Sequence, residues 1–116
     1  MDSVRKLQSC FQTLADANRL RILKFIGENE CSVSEIIKAT GLSQPLVSHH
    51  LRTLRNMQLL DQKRNGPFIY YRLKDRKLLD ALGLFSEIIN NIRDENIKEP
   101  MFFCPPRWKK FWCADK

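Results

Sequence analysis

The sequence predicts a mainly α-helical fold with one small β-hairpin (α+β), and three observations support this fold class. Apolar residues recur at three- and four-residue steps near both ends of the first 92 residues. A Gly-Leu-Ser turn at 41–43 separates two short amphipathic stretches. An Asn-Gly dipeptide at 65–66 joins two β-type stretches. Together these features are typical of a winged helix-turn-helix that dimerises through its first and last helices.

The first two helices are predicted from apolar spacing. An amphipathic first helix is expected over residues 3–15, and Asn18 is expected to cap a second helix over residues 19–27. The stripe of the first helix consists of Val4, Leu7, Phe11 and Leu14. The second helix is apolar on most of its sides, so it is expected to lie at the centre of the core.

The next two helices have clear start signals. Ser32 and Glu35 have the spacing of a capping box, which predicts a support helix. Gly41 permits a tight turn, Ser43 is placed to cap the following helix, and Pro45 falls in the first turn, where a missing N–H costs little. The inward face of that helix is expected to consist of Val47, Leu51 and Leu54.

The outward face of the fourth helix is polar, which predicts a DNA-recognition helix; an ordinary solvated face is the alternative. Arg52 has the fork geometry to bind guanine in a bidentate manner, and His49 can make DNA affinity depend on pH. His50 is expected to lean toward the core. The predicted base-reading residues are Ser43, Gln44, Pro45, Ser48, His49 and Arg52.

The hairpin is predicted to be a wing beside the recognition helix. Its strands are expected over residues 59–64 and 68–73. Lys63 and Arg64 lie near the tip, where they can reach phosphates or the minor groove, and Arg72 can do the same from the return strand.

The last helix is predicted to begin near Asp75 and to present a second apolar stripe. With the first helix, this stripe exceeds the apolar area that so small a domain readily covers, which favours a homodimer. Packing of both stripes inside one monomer is the alternative. The stripe consists of Leu78, Leu82, Phe85, Ile89 and Ile92. Residues 1–93 are therefore expected to form the DNA-binding and dimerisation domain, and residues 94–116 a separate tail.

The charge balance favours a polyanionic partner. The 116 residues include 20 Lys and Arg against 13 Asp and Glu, a net charge of +7. No apolar run reaches the ~18 residues of a membrane span, and no signal peptide opens the chain, so a cytoplasmic protein without a membrane partner is expected. No nucleophile, base and acid fall in a catalytic arrangement, so an enzyme is not expected.

Three segments resemble the arsenic-repressor (ArsR/SmtB) family of bacterial winged-helix regulators, and the resemblance covers about residues 5–93. They are residues 15–23 (ADANRLRIL), 42–51 (LSQPLVSHHL) and 65–73 (NGPFIYYRL). The resemblance implies a homodimer that represses transcription by occupying a near-palindromic operator in double-stranded DNA. It also implies release when an effector binds or when thiols are modified.

The effector sites that the resemblance implies do not match this chain. Family members with metal-binding cysteines in the support helix have a Cys-Val-Cys pattern, whereas here Ser32 and Ser34 stand at both positions and Cys31 is one residue away. The family's site on the last helix needs histidine, and no histidine follows His50. The family's redox pair includes a cysteine in the second helix, and that helix has none.

Two of the four cysteines lie in the tail, where residues 101–113 also contain five aromatic residues. Cys10, Cys104 and Cys113 are the candidate ligands for As(III) or Sb(III), which need about three thiolates, or for a soft divalent metal such as cadmium, lead or zinc. Alternatives are thiol oxidation of Cys104 and Cys113, haem at the Cys104-Pro105 dipeptide, and a tail that only covers the dimer surface. The role of Cys31 is left open, as is a winged-helix interaction module that does not read DNA.

Overall fold

The computed structural model describes residues 2–92, which contain five helices and three strands. A first unit ends at Arg76 and a second begins at Lys77. The elements are α1 (Ser3–Leu14), α2 (Ala17–Ile26), β1 (Cys31–Ser32), α3 (Val33–Thr40), α4 (Gln44–Asn56), β2 (Leu60–Asn65), β3 (Phe68–Leu73) and α5 (Lys77–Asn90). The fold class predicted from the sequence is confirmed.

The first two helices are both capped by aspartate. The side chain of Asp2 accepts from the main-chain N–H of Arg5 at 2.8 Å, which starts α1. Asp16 accepts from the N–H of Arg19 at 3.1 Å and starts α2. The predicted Asn18 cap is wrong: this residue lies inside α2, and its side chain accepts from Arg21 Nη1 at 3.0 Å.

The helix-turn-helix follows the predicted start and stop signals. Ser32 and Glu35 form the reciprocal capping box of α3. Gly41 ends that helix in the left-handed conformation, with φ of 70°, which glycine adopts without the strain of a Cβ. Ser43 caps α4 and Pro45 lies in its first turn, so the turn and the entry into the fourth helix are as predicted.

The turn is held by a buried threonine that the sequence prediction did not include. The Thr40 hydroxyl donates to the Ile36 carbonyl at 2.8 Å. The same oxygen accepts from the main-chain N–H of Leu42 at 3.2 Å. This hydroxyl supplies a partner for the main-chain N–H of Leu42, which lies just beyond the end of α3.

The strands form a three-stranded antiparallel sheet in the order β1-β3-β2. The short strand β1 was not predicted. Asn65 pairs with Phe68, so the loop residues are Gly66 and Pro67, one position later than predicted. Gly66 has φ of 64° and proline cannot adopt positive φ, which fits a type II′ turn.

The core of the first unit is built around α2, as predicted. Ile22, Leu23 and Ile26 are fully buried there. The other buried apolar residues are Leu14, Cys31, Ile36, Val47, Leu51, Leu54 and Leu60. His50 is also buried, which confirms that it leans toward the core.

The stripe of α1 is exposed over much of its length. Val4 is 74% exposed, Leu7 56% and Phe11 43%. A shallow surface groove between their side chains extends along α1 to Ala15. An apolar helix face of this kind is typical of a surface that meets another protein chain.

In the second unit, α5 begins two residues later than predicted and has no buried residue. Its exposed apolar side chains are Leu84, Phe85, Ile88 and Ile89, and Ile92 beyond its end is exposed as well. No helix within residues 2–92 is long and apolar enough to cross a membrane.

Candidate nucleic-acid interface

The exposed face of α4 carries most of the predicted base-reading residues. Gln44, Pro45, His49 and Arg52 are exposed, whereas Ser48 is half-buried. These residues project from a rigid element whose opposite face is fixed in the core. Side chains fixed in this way can reach base edges without losing much conformational freedom.

Ser43 has a structural role in the free protein. Its hydroxyl accepts from the main-chain N–H of Leu46 at 3.4 Å and thereby caps α4. Leu46 itself, which the sequence prediction omitted, is an exposed leucine in the first turn. An apolar side chain at this position suits contact with a thymine methyl group.

The inward face of α4 is packed in the core, as predicted. Val47, Leu51 and Leu54 are all fully buried. On the outer side, the Thr53 hydroxyl donates to the His49 carbonyl at 3.1 Å, a bond within the helix. The helix therefore has one face for the core and one for a partner.

The wing carries Lys63 and Arg64 on β2, both exposed as predicted. Glu30, which precedes β1, lies between two wing cations. Its carboxylate is 3.7 Å from Lys63 Nζ and 3.6 Å from Arg72 Nη1. This arrangement was not predicted, because Glu30 is more than 30 positions from either cation along the chain.

A chain of side-chain hydrogen bonds joins the end of α4 to the base of the wing. Arg55 Nη1 donates to Gln62 Oε1. Gln62 Nε2 in turn donates to the Tyr71 hydroxyl at 3.2 Å. Because Gln62 and Tyr71 also face each other across the β2–β3 ladder, the wing has a fixed position relative to the end of α4.

The two described thiols lie apart from this face. Cys10 is half-buried on α1 and Cys31 is buried in β1. Burial raises the pKa of both thiols, and the Glu35 carboxylate raises that of Cys31 further. Both are therefore protonated at neutral pH, which disfavours reaction in the absence of a metal.

Cys104 and Cys113 lie outside the described residues. Within residues 2–92, no three histidine, cysteine or carboxylate side chains lie close enough together to hold a metal ion.

The sequence of the segment that contains this surface matches a known protein family. A family model for the bacterial regulatory proteins of the arsR family matches residues 16–62, a segment that runs from the cap of α2 into β2. The chain belongs to the ArsR family. The match includes α3, the turn and all of α4, so this ArsR-family protein has the helix-turn-helix of a DNA-binding regulator.

Named relatives agree with this assignment. The chain is 44% identical over 64 residues to the arsenic resistance transcriptional regulator ArsR1 of Pseudomonas putida, covering 54% of this chain and 50% of ArsR1. It is 30% identical to NolR of Sinorhizobium fredii, whose crystal structure superposes with a TM-score of 0.68 over 73% of this chain and 85% of NolR.

A third relative is a homodimer. The homodimeric winged helix-turn-helix DNA-binding domain of Mb0332 from Mycobacterium bovis, a possible ArsR-family regulator, is 25% identical. It superposes with a TM-score of 0.69 and covers 75% of this chain and 81% of its own.

Proposed function

We propose that this ArsR-family protein is a homodimeric transcriptional repressor that binds double-stranded operator DNA through α4 and the wing. One observation carries the proposal: α4 exposes Gln44, His49 and Arg52 while its opposite face is fully buried. A helix held in this way enters the major groove with its polar face toward the bases. Residues 1–93 form the DNA-binding and dimerisation domain in this proposal.

Each exposed side chain then has a chemical role. Arg52 donates two hydrogen bonds to guanine, and Gln44 pairs with adenine. His49 supplies a further hydrogen bond. Lys63 and Arg64 contact phosphates or the minor groove beside the half-site, which fixes the register of α4 on the duplex. Arg72 can also contact phosphate from the return strand, and the remaining residues proposed to contact DNA are Ser43, Pro45 and Ser48.

Two features support the homodimer. Much of the apolar stripe of α1 and the second half of that of α5 are exposed, although such surfaces are normally covered. The related Mb0332 domain is homodimeric. A twofold dimer places two recognition helices about 34–36 Å apart, one turn of DNA, so the operator is expected to be near-palindromic.

Duplex binding tests this function directly. We expect selection from a random duplex library to enrich a near-palindromic site, and anisotropy to show binding that weakens steeply with salt because phosphate counterions are released. Sedimentation is expected to show two protomers per duplex. A protein that enriches no site and binds duplex without salt dependence would instead be an interaction module of the same fold.

The effector proposed here is a thiophilic metalloid or metal, As(III) first, bound by Cys10, Cys104 and Cys113. Three thiolates suit the pyramidal coordination of As(III) or Sb(III), and soft sulfur ligands also suit cadmium or lead. The similarity to a regulator of arsenic resistance supports this choice. Binding is proposed to release the operator.

The effector is tested by titrating the reduced protein–operator complex with arsenite, antimonite, cadmium, lead and zinc in turn. We expect arsenite to release the DNA from the wild-type protein but not from a Cys104→Ser/Cys113→Ser variant. Cys31→Ser is the matched control, because that thiol is excluded from the proposed site. Release by peroxide or haem, with none by any ion, would contradict the metalloid and favour a thiol-redox or haem effector.

The ion pairs of Glu30 give a further prediction. Lys63 and Arg72 must leave this carboxylate before they bind phosphate, so Glu30→Gln is expected to tighten operator binding. Because exposed ion pairs contribute at most about 1 kcal/mol each, the gain should be about two- to fivefold at low salt and should vanish at high salt. Anisotropy at two salt concentrations measures it. Glu28→Gln is the matched control, since Glu28 pairs with Arg76 instead; weaker binding of Glu30→Gln would contradict this interpretation.

A further inference from the structure

We propose that Arg19 is a positioning residue that clamps the recognition helix to the end of α1, and that the clamp holds only while His50 is neutral. This inference rests on the proposed function, because the effect of the clamp is measured as a change in the affinity for operator DNA. It concerns a part of the domain that does not touch DNA in that proposal. Arg19 lies in α2, and His50 faces inward from α4.

The contacts of Arg19 join three segments of the chain. Its Nε donates to the carbonyl oxygen of Thr13, near the end of α1, at 2.6 Å. Its Nη1 donates to His50 Nδ1 at 3.2 Å, a bond between residues 31 positions apart. Its main-chain N–H is held by the Asp16 cap. One guanidinium therefore connects α1 to the recognition helix through the first residues of α2.

The contact with arginine decides which protonation state of His50 fits. A guanidinium only donates hydrogen bonds, so His50 Nδ1 must accept, and the ring proton must lie on Nε2. Within residues 2–92, Nε2 is buried and has no hydrogen-bond partner. A second proton on the ring would sit at Nδ1 and point at the arginine. Protonation of His50 therefore breaks the clamp.

The surroundings of His50 favour the neutral ring. Burial is the largest cause and lowers its pKa below the usual value; the Asp16 carboxylate opposes this, while Arg19 and His49 lower the pKa further. Asp16 and Arg19 belong to the start of α2, and His49 is its neighbour in α4. Among the described residues of α3 and β2, which also pack against α4, no charged group adds to this shift.

The position of His50 in α4 links the clamp to DNA reading. His49, the preceding residue, points outward with the proposed base-reading residues, and Leu51 follows in the core. A charged His50 no longer accepts from Arg19, so α4 loses its connection to the end of α1 and can shift or rotate. The outward side chains then leave the positions from which they reach base edges, so the operator affinity falls.

The sign of the pH effect follows from the lowered pKa. The contribution of neutral His50 to folding stability is complete above about pH 6.5, the usual pKa of histidine, and is lost as the pH falls from there toward the lower pKa of the folded protein. Operator affinity depends on the ring in the folded protein, so it is expected to be full above that lowered pKa and to fall as the pH drops through it. A histidine that contacts phosphate would act in the opposite direction, because its protonation strengthens DNA binding.

The chain contains only two histidines, so the titration of His50 can be isolated by replacing one other residue. His49→Asn removes the exposed one and assigns the remaining ring signals in NMR spectra to His50. In this background, we expect operator affinity to fall as the pH drops through the His50 pKa measured by NMR, and to level off about tenfold lower once the ring is fully protonated, the same loss as expected for a broken clamp. Adding His50→Asn keeps an acceptor oxygen near the Nδ1 position but cannot titrate, so the affinity of the double variant should stay flat. Equal pH profiles for the two proteins would overturn the proposal.

Arg19→Lys tests the clamp without changing the charge. A lysine has one nitrogen and cannot replace both contacts of the guanidinium. We expect operator affinity to fall about tenfold and amide hydrogen exchange in α4 to speed up, with the circular dichroism of the fold retained. Wild-type affinity and exchange rates in this variant would contradict the proposal.

A separate readout distinguishes failure of the clamp from failure of the proposed function. Arg19→Gln removes the cation beside His50, so the NMR pKa of His50 is expected to rise even in the absence of DNA. If the wild-type protein enriches no duplex but this shift is seen, the clamp stands and the DNA-binding proposal fails. If the pKa of His50 does not rise, the clamp is contradicted whatever the protein binds.

Discussion

Arg52→Ala is expected to weaken operator binding by about 10- to 100-fold per half-site. The physical reason is the loss of a bidentate contact to guanine, which contributes about 1–3 kcal/mol of base discrimination. Because Arg52 is exposed and has no role in the core, the variant should unfold at the wild-type temperature. Anisotropy with the selected operator and thermal denaturation measure the two quantities.

The loss of affinity in Arg52→Ala should depend on the guanine in the operator, and it should not be seen when an arginine elsewhere in the protein is removed. Against a duplex with the guanine replaced, Arg52→Ala should bind as the wild-type protein does. Arg5→Ala is the matched control, since it removes an equal charge from α1, where Arg5 pairs with Asp2. Unchanged operator affinity in both Arg52→Ala and His49→Ala would overturn the assignment of α4 as the recognition helix.

Leu51→Ala is expected to lower the free energy of unfolding by about 2–5 kcal/mol. Leu51 is fully buried on the inner face of α4, and its truncation removes apolar contacts and leaves a cavity. For a domain this small, such a loss is a large part of the total stability. Urea denaturation should be followed at one fixed protein concentration, because dimerisation makes stability depend on concentration.

Leu46→Ala is the matched control for this change. It truncates the same side chain on the same helix, but Leu46 is exposed, so its effect should stay below about 1 kcal/mol. An equal loss in both variants would mean that the two faces of α4 are not distinguished as the structure shows.

Local signals made much of the fold predictable. A capping box, a glycine where the chain needs positive φ, and a proline in the first turn each act within a few residues, and all three lie where predicted. The inner face of α4 was predictable because helical spacing fixes which side chains share a face. The exposed polar face of α4 was predictable from the same spacing.

Features that depend on distant residues could not be predicted. Strand β1 has two residues, too few to show alternation, and exists because Cys31 and Ser32 meet β3 some 40 positions later. The contact of Arg19 with His50 spans 31 positions in the same way. The cap of α2 failed for another reason: Asp16 and Asn18 both have capping side chains, and only the packing of α2 decides between them.

The arrangement of the sheet has a consequence for solubility. β2 forms one edge, where an unpaired row of main-chain N–H and C=O groups invites another chain to add a strand. That edge carries Lys63 and Arg64, and charged side chains of this kind oppose such pairing, while the other edge, β1, is only two residues long. The cations proposed to contact phosphate therefore also oppose edge-to-edge joining of the wings of separate molecules, whereas the exposed apolar surface within residues 2–92 lies mainly on helices.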